Sequence, residues 1–276
     1  MSDLDEGDPP AGARAGAALL LAGTPQGVAL GLVIEYFRVG SLMPFVVVRG
    51  RSVRPALAAL VVAACAFALT LAWVRTGTGI ARLDPAVTRF AVEHRSGWLT
   101  AVMRAVTRAG SGPVMAAAIV AAGLGLRRVG GSWRPLGWLA AVSLGAALLD
   151  AVVKAAVARP RPSAALMLEP APGYAFPSGH TVQAVSYGAL AWLLVARIPA
   201  RSQRIALWTA ALATAGLVGA SRVYLGAHWA SDVIGGWALG AGWLGLMIVV
   251  ARRPHNRPRR MCAQRFARVT ARDRSG

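Results

Sequence analysis

Residues 56–74 read Ala-Leu-Ala-Ala-Leu-Val-Val-Ala-Ala-Cys-Ala-Phe-Ala-Leu-Thr-Leu-Ala-Trp-Val, with no charged side chain among them. As a helix rising about 1.5 Å per residue, this run covers the ~30 Å hydrocarbon layer of a bilayer. A helix also satisfies its own backbone polar groups, which lipid cannot do for an isolated strand. Arg49, Arg51 and Arg54 precede the run and Arg75 follows it, where their charges can reach headgroups. The reading is a membrane-spanning helix, and it repeats along the chain. Comparable runs extend from about Gly110 to Leu126, Leu136 to Ala156, Val182 to Ile198, Ile205 to Val223 and Trp229 to Val250. The expected fold is therefore an all-α, polytopic integral membrane bundle with a six-helix core over residues 49–251. Gly236 and Gly240, one turn apart in the last span, would let that helix pack closely on a neighbour.

Composition supports this class. Hydrophobic residues make up 56% of the 276 and charged residues only 15%, a balance that suits a membrane bundle better than a soluble core. The net charge of +19 would point to nucleic acid in a soluble protein. Here most of the Arg lies between or beyond the apolar runs, as positive flanks do, so the expected partner is the bilayer and not nucleic acid. Cys65 sits in an apolar run and Cys262 in the basic tail, which argues against a disulfide. His94, His180, His228 and His255 show no zinc-ligand spacing, so no metal and no cofactor are expected. Oligomeric state is not legible.

Three segments flank or interrupt the spans. Residues 1–48 form an N-terminal extension whose acidic start, with Asp3, Asp5, Glu6 and Asp8, argues against a secretory signal. Its apolar part, residues 15–37, is broken by Pro25 and Gln26 and reads as weakly ordered or interfacial. Between Leu83 and Arg108 charges mix with Phe90, Trp98, Leu99, Val102, Met103 and Val106, and the last four recur at helical spacing, as in a helix lying on the membrane surface. The Arg-rich tail, 252–276, reads as cytoplasmic. The connections holding Arg127, Arg128 and Arg134, and Arg197, Arg201 and Arg204, fall on the same side as that tail if there are six spans. The Arg residues between 75 and 108 fall on the opposite side and reduce this asymmetry. The expected location is a bacterial inner membrane, with the opposite, outer side holding the ends described next.

At those ends lie three chemically suggestive stretches. The first runs Lys154-Ala-Ala-Val-Ala-Arg159-Pro-Arg161-Pro162; the second is Pro177-Ser178-Gly179-His180; the third runs from Ser221-Arg222 through His228 to Asp232. Lys154, Arg161 and Arg222 supply three cations from separate segments, suited to a phosphate that must be neutralised and held in line. The Ser178 hydroxyl and the Gly179 amide add donors at a helix start, where anions are favoured. His228 and Asp232 stand four apart, on one face of a helix. Asp150, one turn before Lys154, is a candidate to orient that ammonium. Singly, each has a bland alternative: a cap for Ser178, a snorkelling side chain for Arg222, an ordinary loop for Arg161. Tyr174 and Phe176 fit either a lipid entrance or an interfacial belt.

The ordered set resembles the type 2 phosphatidic acid phosphatase (PAP2) superfamily, whose pattern is K-x6-RP, PSGH and SR-x5-H-x3-D; every position is matched. The resemblance covers about Ala56 to Val250. It implies that His228 attacks phosphorus to form a phosphohistidine, that Asp232 holds the far ring nitrogen, and that His180 protonates the leaving oxygen and then activates water. Lys154, Arg161, Ser178, Gly179 and Arg222 would bind the phosphate, without a metal. The implied substrate is a membrane lipid phosphate or diphosphate of the phosphatidic acid, phosphatidylglycerol phosphate or undecaprenyl diphosphate type. A phosphotransferase with the same histidine chemistry, or a non-catalytic membrane scaffold or transporter, remains open at this point.

Overall fold

A computed structural model describes residues 54–252; what was expected of residues 1–53 and of the tail beyond 252 lies outside the described residues. Every regular element among them is helical: α1 (Arg54–Thr76), α2 (Asp84–Glu93), α3 (Gly97–Ala109), α4 (Gly112–Gly130), α5 (Arg134–Val157), α6 (Gly179–Gln183), α7 (Val185–Val195), α8 (Arg201–Tyr224) and α9 (Ala230–Arg252), with 3-10 turns at Gly79–Leu83 and Ala164–Leu166. Five of these, α1, α4, α5, α8 and α9, are long and apolar enough to cross a membrane. The protein is a multi-pass helical membrane bundle.

One expected span differs. Residues 182–198 do not form a single helix. The ladder tightens at Ala184, where the Tyr187 N–H donates to its carbonyl at 3.1 Å, and α7 ends at Val195. Pro199 accounts for the early stop, since it disfavours helical backbone in the residue before it. Just before the break, the Gln183 side chain turns to α5. It accepts from Ser143 Oγ at 2.9 Å and donates to the Ser143 carbonyl at 3.2 Å, which satisfies polar groups that lipid would leave unpaired.

Packing follows small residues. On α9, a Cβ at Gly236 would meet Thr181 Oγ1 at 2.0 Å, and one at Gly240 would meet the Val182 carbonyl at 3.0 Å. The glycine pair expected to allow a close approach thus seats α6. Gly245, further along, lies against Leu60 of α1. Away from these seams, Met115, Ile119, Leu139, Val142 and Ala189 form a buried apolar cluster between α4, α5 and α7. The Trp243 indole packs on it and donates to the Val142 carbonyl at 2.8 Å.

The segment expected as one surface helix is two helices, α2 and α3, joined at His94, Arg95 and Ser96. Leu83, Phe90, Trp98 and Val102 are exposed on it, as an interfacial face requires. Its other face holds the ends of the bundle. Arg95 donates to the carbonyls of Leu166 and Tyr224 at 2.8 and 2.9 Å, and the Ser96 N–H donates to the Tyr224 hydroxyl at 3.1 Å.

Candidate active site

The three stretches converge at one end of the bundle. Lys154 lies in the last turn of α5, where its Nζ donates to Asp150 Oδ1 at 2.5 Å and to the Pro177 carbonyl at 2.6 Å. Asp150 therefore does orient the ammonium. Gly179 makes room for the pair: a Cβ there would lie 2.9 Å from Asp150 Oδ2 and 3.4 Å from Lys154 Nζ. After α5 the chain turns at Ala158, whose φ of 51° is left-handed, an uncommon conformation for a residue with a Cβ. The turn delivers Arg159 and Arg161 inward.

Arg161 is held at its Nε by the Gly173 carbonyl (2.9 Å) and at Nη2 by the Pro172 carbonyl (3.0 Å). Its Nη1 donates to the Ala227 carbonyl at 2.7 Å and to His228 Nε2 at 3.0 Å. His228 Nδ1 donates to the Ala175 carbonyl at 2.8 Å. These partners fix the tautomer, with the proton on Nδ1 and the Nε2 lone pair directed at a cation. Asp232 Oδ2 stands 3.6 Å from Nδ1. The hydrogen bond expected between ring and carboxylate thus goes to a backbone carbonyl, because Asp232 is engaged by Arg159 Nη1 at 2.5 Å and by the Trp229 N–H at 2.9 Å. Asp232 is left beside the ring as a counter-charge.

Four buried side-chain polar atoms lack a hydrogen-bond partner among the described residues, and two belong to this site: Ser178 Oγ and Arg222 Nε. Ser178 is fully buried and does not cap α6 with its side chain. Arg222, in the last turn of α8, is 6% exposed, and its Nη1 donates to Thr107 Oγ1 at 2.9 Å. Burying donors without acceptors costs on the order of 1–3 kcal/mol each, which an anion accepting from both would relieve. The Ser178 N–H, for its part, donates to the Asp232 backbone carbonyl at 3.0 Å and ties the second stretch to the third.

His180, in the first turn of α6, shares this end with the cations Arg222, Lys154 and Arg161. Burial pushes His228 down to about 4, against the opposing influence of Asp232.

All eight expected site residues, Lys154, Arg161, Ser178, Gly179, His180, Arg222, His228 and Asp232, are brought to this one end. Sequence reasoning passed over Asp84, Arg159, Thr107 and the Ala175 carbonyl. A signal for two of them was present: the chain has only 11 acidic residues, and an acid at the edge of an apolar span calls for a cationic partner.

Together these features define a helical membrane protein with cationic and histidine side chains gathered at one end. A model of the PAP2 superfamily matches residues 135–255. The chain is 34% identical over 176 residues to phosphatidylglycerophosphatase B of Bacillus subtilis (strain 168), covering 63% of this chain and 86% of that protein. It is 38% identical over 109 residues to an undecaprenyl-diphosphatase of Sulfolobus acidocaldarius, covering 38% of this chain and 48% of that one. Among solved structures, the transmembrane PAP2-type phosphatidylglycerolphosphate phosphatase from Bacillus subtilis matches with a TM-score of 0.66 at 32% identity, over 71% of this chain and 98% of that one. The chain belongs to the PAP2 superfamily.

Proposed function

We propose that the protein is a membrane phosphatase that hydrolyses a lipid phosphate or diphosphate. The observation that carries this reading is the pair of buried, unpartnered donors, Ser178 Oγ and Arg222 Nε, on a site that also gathers Lys154, Arg161 and a histidine with its Nε2 lone pair free of a proton. The names of the relatives agree with it. Anionic phosphate oxygens accept from Ser178, Gly179, Lys154, Arg161 and Arg222, and the Arg161–His228 contact yields as phosphorus approaches Nε2. His228 Nε2 forms the P–N bond while the P–O bond to the lipid breaks, and His180 gives its proton to the leaving oxygen. His180 then takes a proton from water, whose oxygen displaces the histidine and releases phosphate. An approaching phosphate carries the opposite charge to Arg222, Lys154 and Arg161, so its binding favours the protonated form of a histidine beside it.

The decisive experiment is a phosphate-release screen of the purified protein against phosphatidic acid, phosphatidylglycerol phosphate and undecaprenyl diphosphate. Release from at least one without added acceptor is expected. No release from any, or release only when a lipid or sugar hydroxyl is supplied, overturns the hydrolase reading.

We further infer six crossings, with α6 and α7 together carrying the chain from the site to the opposite end, and a site facing the outer side of a bacterial inner membrane. The Arg pairs at 127–128 and 201–204 support this orientation. A periplasm-only reporter inserted in the 163–176 loop should be active and one at 199–203 silent; the reverse pattern would place the site in the cytoplasm.

A further inference from the structure

Arg159 has a different set of partners from Arg161, two residues on. Its Nη2 donates to Asp84 Oδ2 at 2.7 Å, and its Nη1 donates to Asp232 Oδ1 at 2.5 Å and to Ser231 Oγ at 2.7 Å. Asp84, the first residue of α2, reaches the start of α9 as well. Its Oδ1 accepts the Ser231 N–H at 2.9 Å and its Oδ2 accepts the Ser231 hydroxyl at 2.5 Å. A carboxylate at a helix start is favoured by the exposed amides and the helix dipole; here it comes from another helix and anchors the turn that carries His228 and Asp232. Asp84, Ser231 and Asp232 are 2%, 1% and 0% exposed.

Charge counting assigns this cluster a role. Two carboxylates and one guanidinium leave one negative charge, with Asp232 Oδ2 3.6 Å from His228 Nδ1. When Nε2 bonds to phosphorus, the imidazole becomes cationic and that remaining charge balances it. With Asp84 neutral, Arg159 would cancel Asp232, and the developing cation would have no net counter-charge in a buried place where unpaired charge is expensive. With Arg159 gone, two buried carboxylates would repel each other and Asp232 would lose its anchor.

We propose that Asp84 and Arg159 are positioning residues for the reaction: they fix the orientation of Asp232 and leave it a full negative charge to offer His228. The inference rests on His228 being the nucleophile. It also gives the α2 segment a part in catalysis, through a carboxylate 148 residues before Asp232 in the chain, roughly half its length away.

The test uses the full chain purified in detergent, with phosphatidic acid as the probe substrate. Asp84→Asn keeps shape and removes charge. It should lower kcat by about tenfold or more while KM stays within about threefold, because the interaction grows only as the cation forms. In an Asp232→Asn background the same change should cost less than about threefold, since there is no longer a carboxylate to support. An unchanged kcat in the single variant, or the full penalty in the double variant, overturns the proposal. A second arm needs no turnover. In protein labelled with 15N-histidine, the His228 Nδ1 proton resonance, assigned by its loss in His228→Ala, should move upfield in Asp84→Asn as Asp232 withdraws; a stationary resonance overturns the proposal. If the parent releases no phosphate from any of the three lipids of the release screen, the phosphatase reading fails and this resonance alone decides; if it acts only on another of the three, that lipid replaces phosphatidic acid as the probe. Should Asp84→Asn not fold, Arg159→Lys, which cannot bridge both carboxylates, carries the same expectations; failure of both to fold would show a purely structural cluster.

Discussion

Leu139 and Lys154 stand on the same helix, about four turns apart, in surroundings governed by different physics. Leu139 is buried with Met115, Ile119, Val142 and Ala189. In a bilayer such side chains gain nothing by leaving lipid for protein, so their contribution is close packing. Many apolar combinations of similar volume would do the same. Lys154 sits in a niche made by one carboxylate, one carbonyl and the bare face of a glycine. There each polar atom is costly unless paired, and few substitutions keep the pairs. Two donors without partners, Ser178 Oγ and Arg222 Nε, lie at this second end, against a single unpartnered hydroxyl, Ser186 Oγ, beside Leu139. One end holds the bundle together, and the other, on the proposed function, spends stability on readiness for an anion.

The sharpest way to break this contrast is at His228. His228→Ala should lower phosphate release by roughly 10³-fold or more, with no labelled phosphoenzyme and little change in melting temperature. Substantial remaining turnover would put the nucleophile elsewhere and remove the basis for treating this end as catalytic.

A smaller effect is expected at Lys154, the one lysine among 30 basic residues. Its compact ammonium fits between Asp150 Oδ1 and the Pro177 carbonyl, beside Gly179; a planar guanidinium fork does not. Lys154→Arg should cost about tenfold in turnover, or roughly 1.4 kcal/mol of transition-state stabilisation, measured as kcat with membrane insertion unchanged. Turnover at the parent rate would mean that the niche supplies charge and nothing more specific.

At the apolar end the signs should reverse. Leu139→Ala should lower unfolding free energy by about 2 kcal/mol or more, while kcat/KM of the folded fraction stays within about twofold. Loss of activity in step with stability would show that the two ends are mechanically coupled and not independent.

Smallest of all is the effect at Ala158, the left-handed residue one turn beyond Lys154. Ala158→Gly removes the steric cost of φ 51° and adds some unfolded-chain entropy. The net gain should be under about 1 kcal/mol, with activity unchanged. A loss of stability on thermal unfolding would mean that the alanine methyl is packed to advantage.

Length, apolarity and Arg flanks made the long helices legible, because membrane insertion reads those properties locally and each span carries its own signal. The spacing of Lys154, Arg161, Ser178, Gly179, His180, Arg222, His228 and Asp232 singled out these residues for the same reason: each group is a short, contiguous pattern. The break at Ala184 was not, since apolar composition runs through it and only the approach of Gln183 to Ser143 and of α6 to Gly236 marks the place. Nor was the partner of His228 Nδ1, a backbone carbonyl, which has no signature in residue identity. Asp84 and Arg159, 75 positions apart, were visible as an acid and a base but not as a pair. Sequence by itself determined the class of fold and the chemical groups available for phosphate. Only the tertiary structure decided which cation holds His228 and which holds Asp232, because both are arginines of one five-residue turn whose roles are set by the segments that close around them.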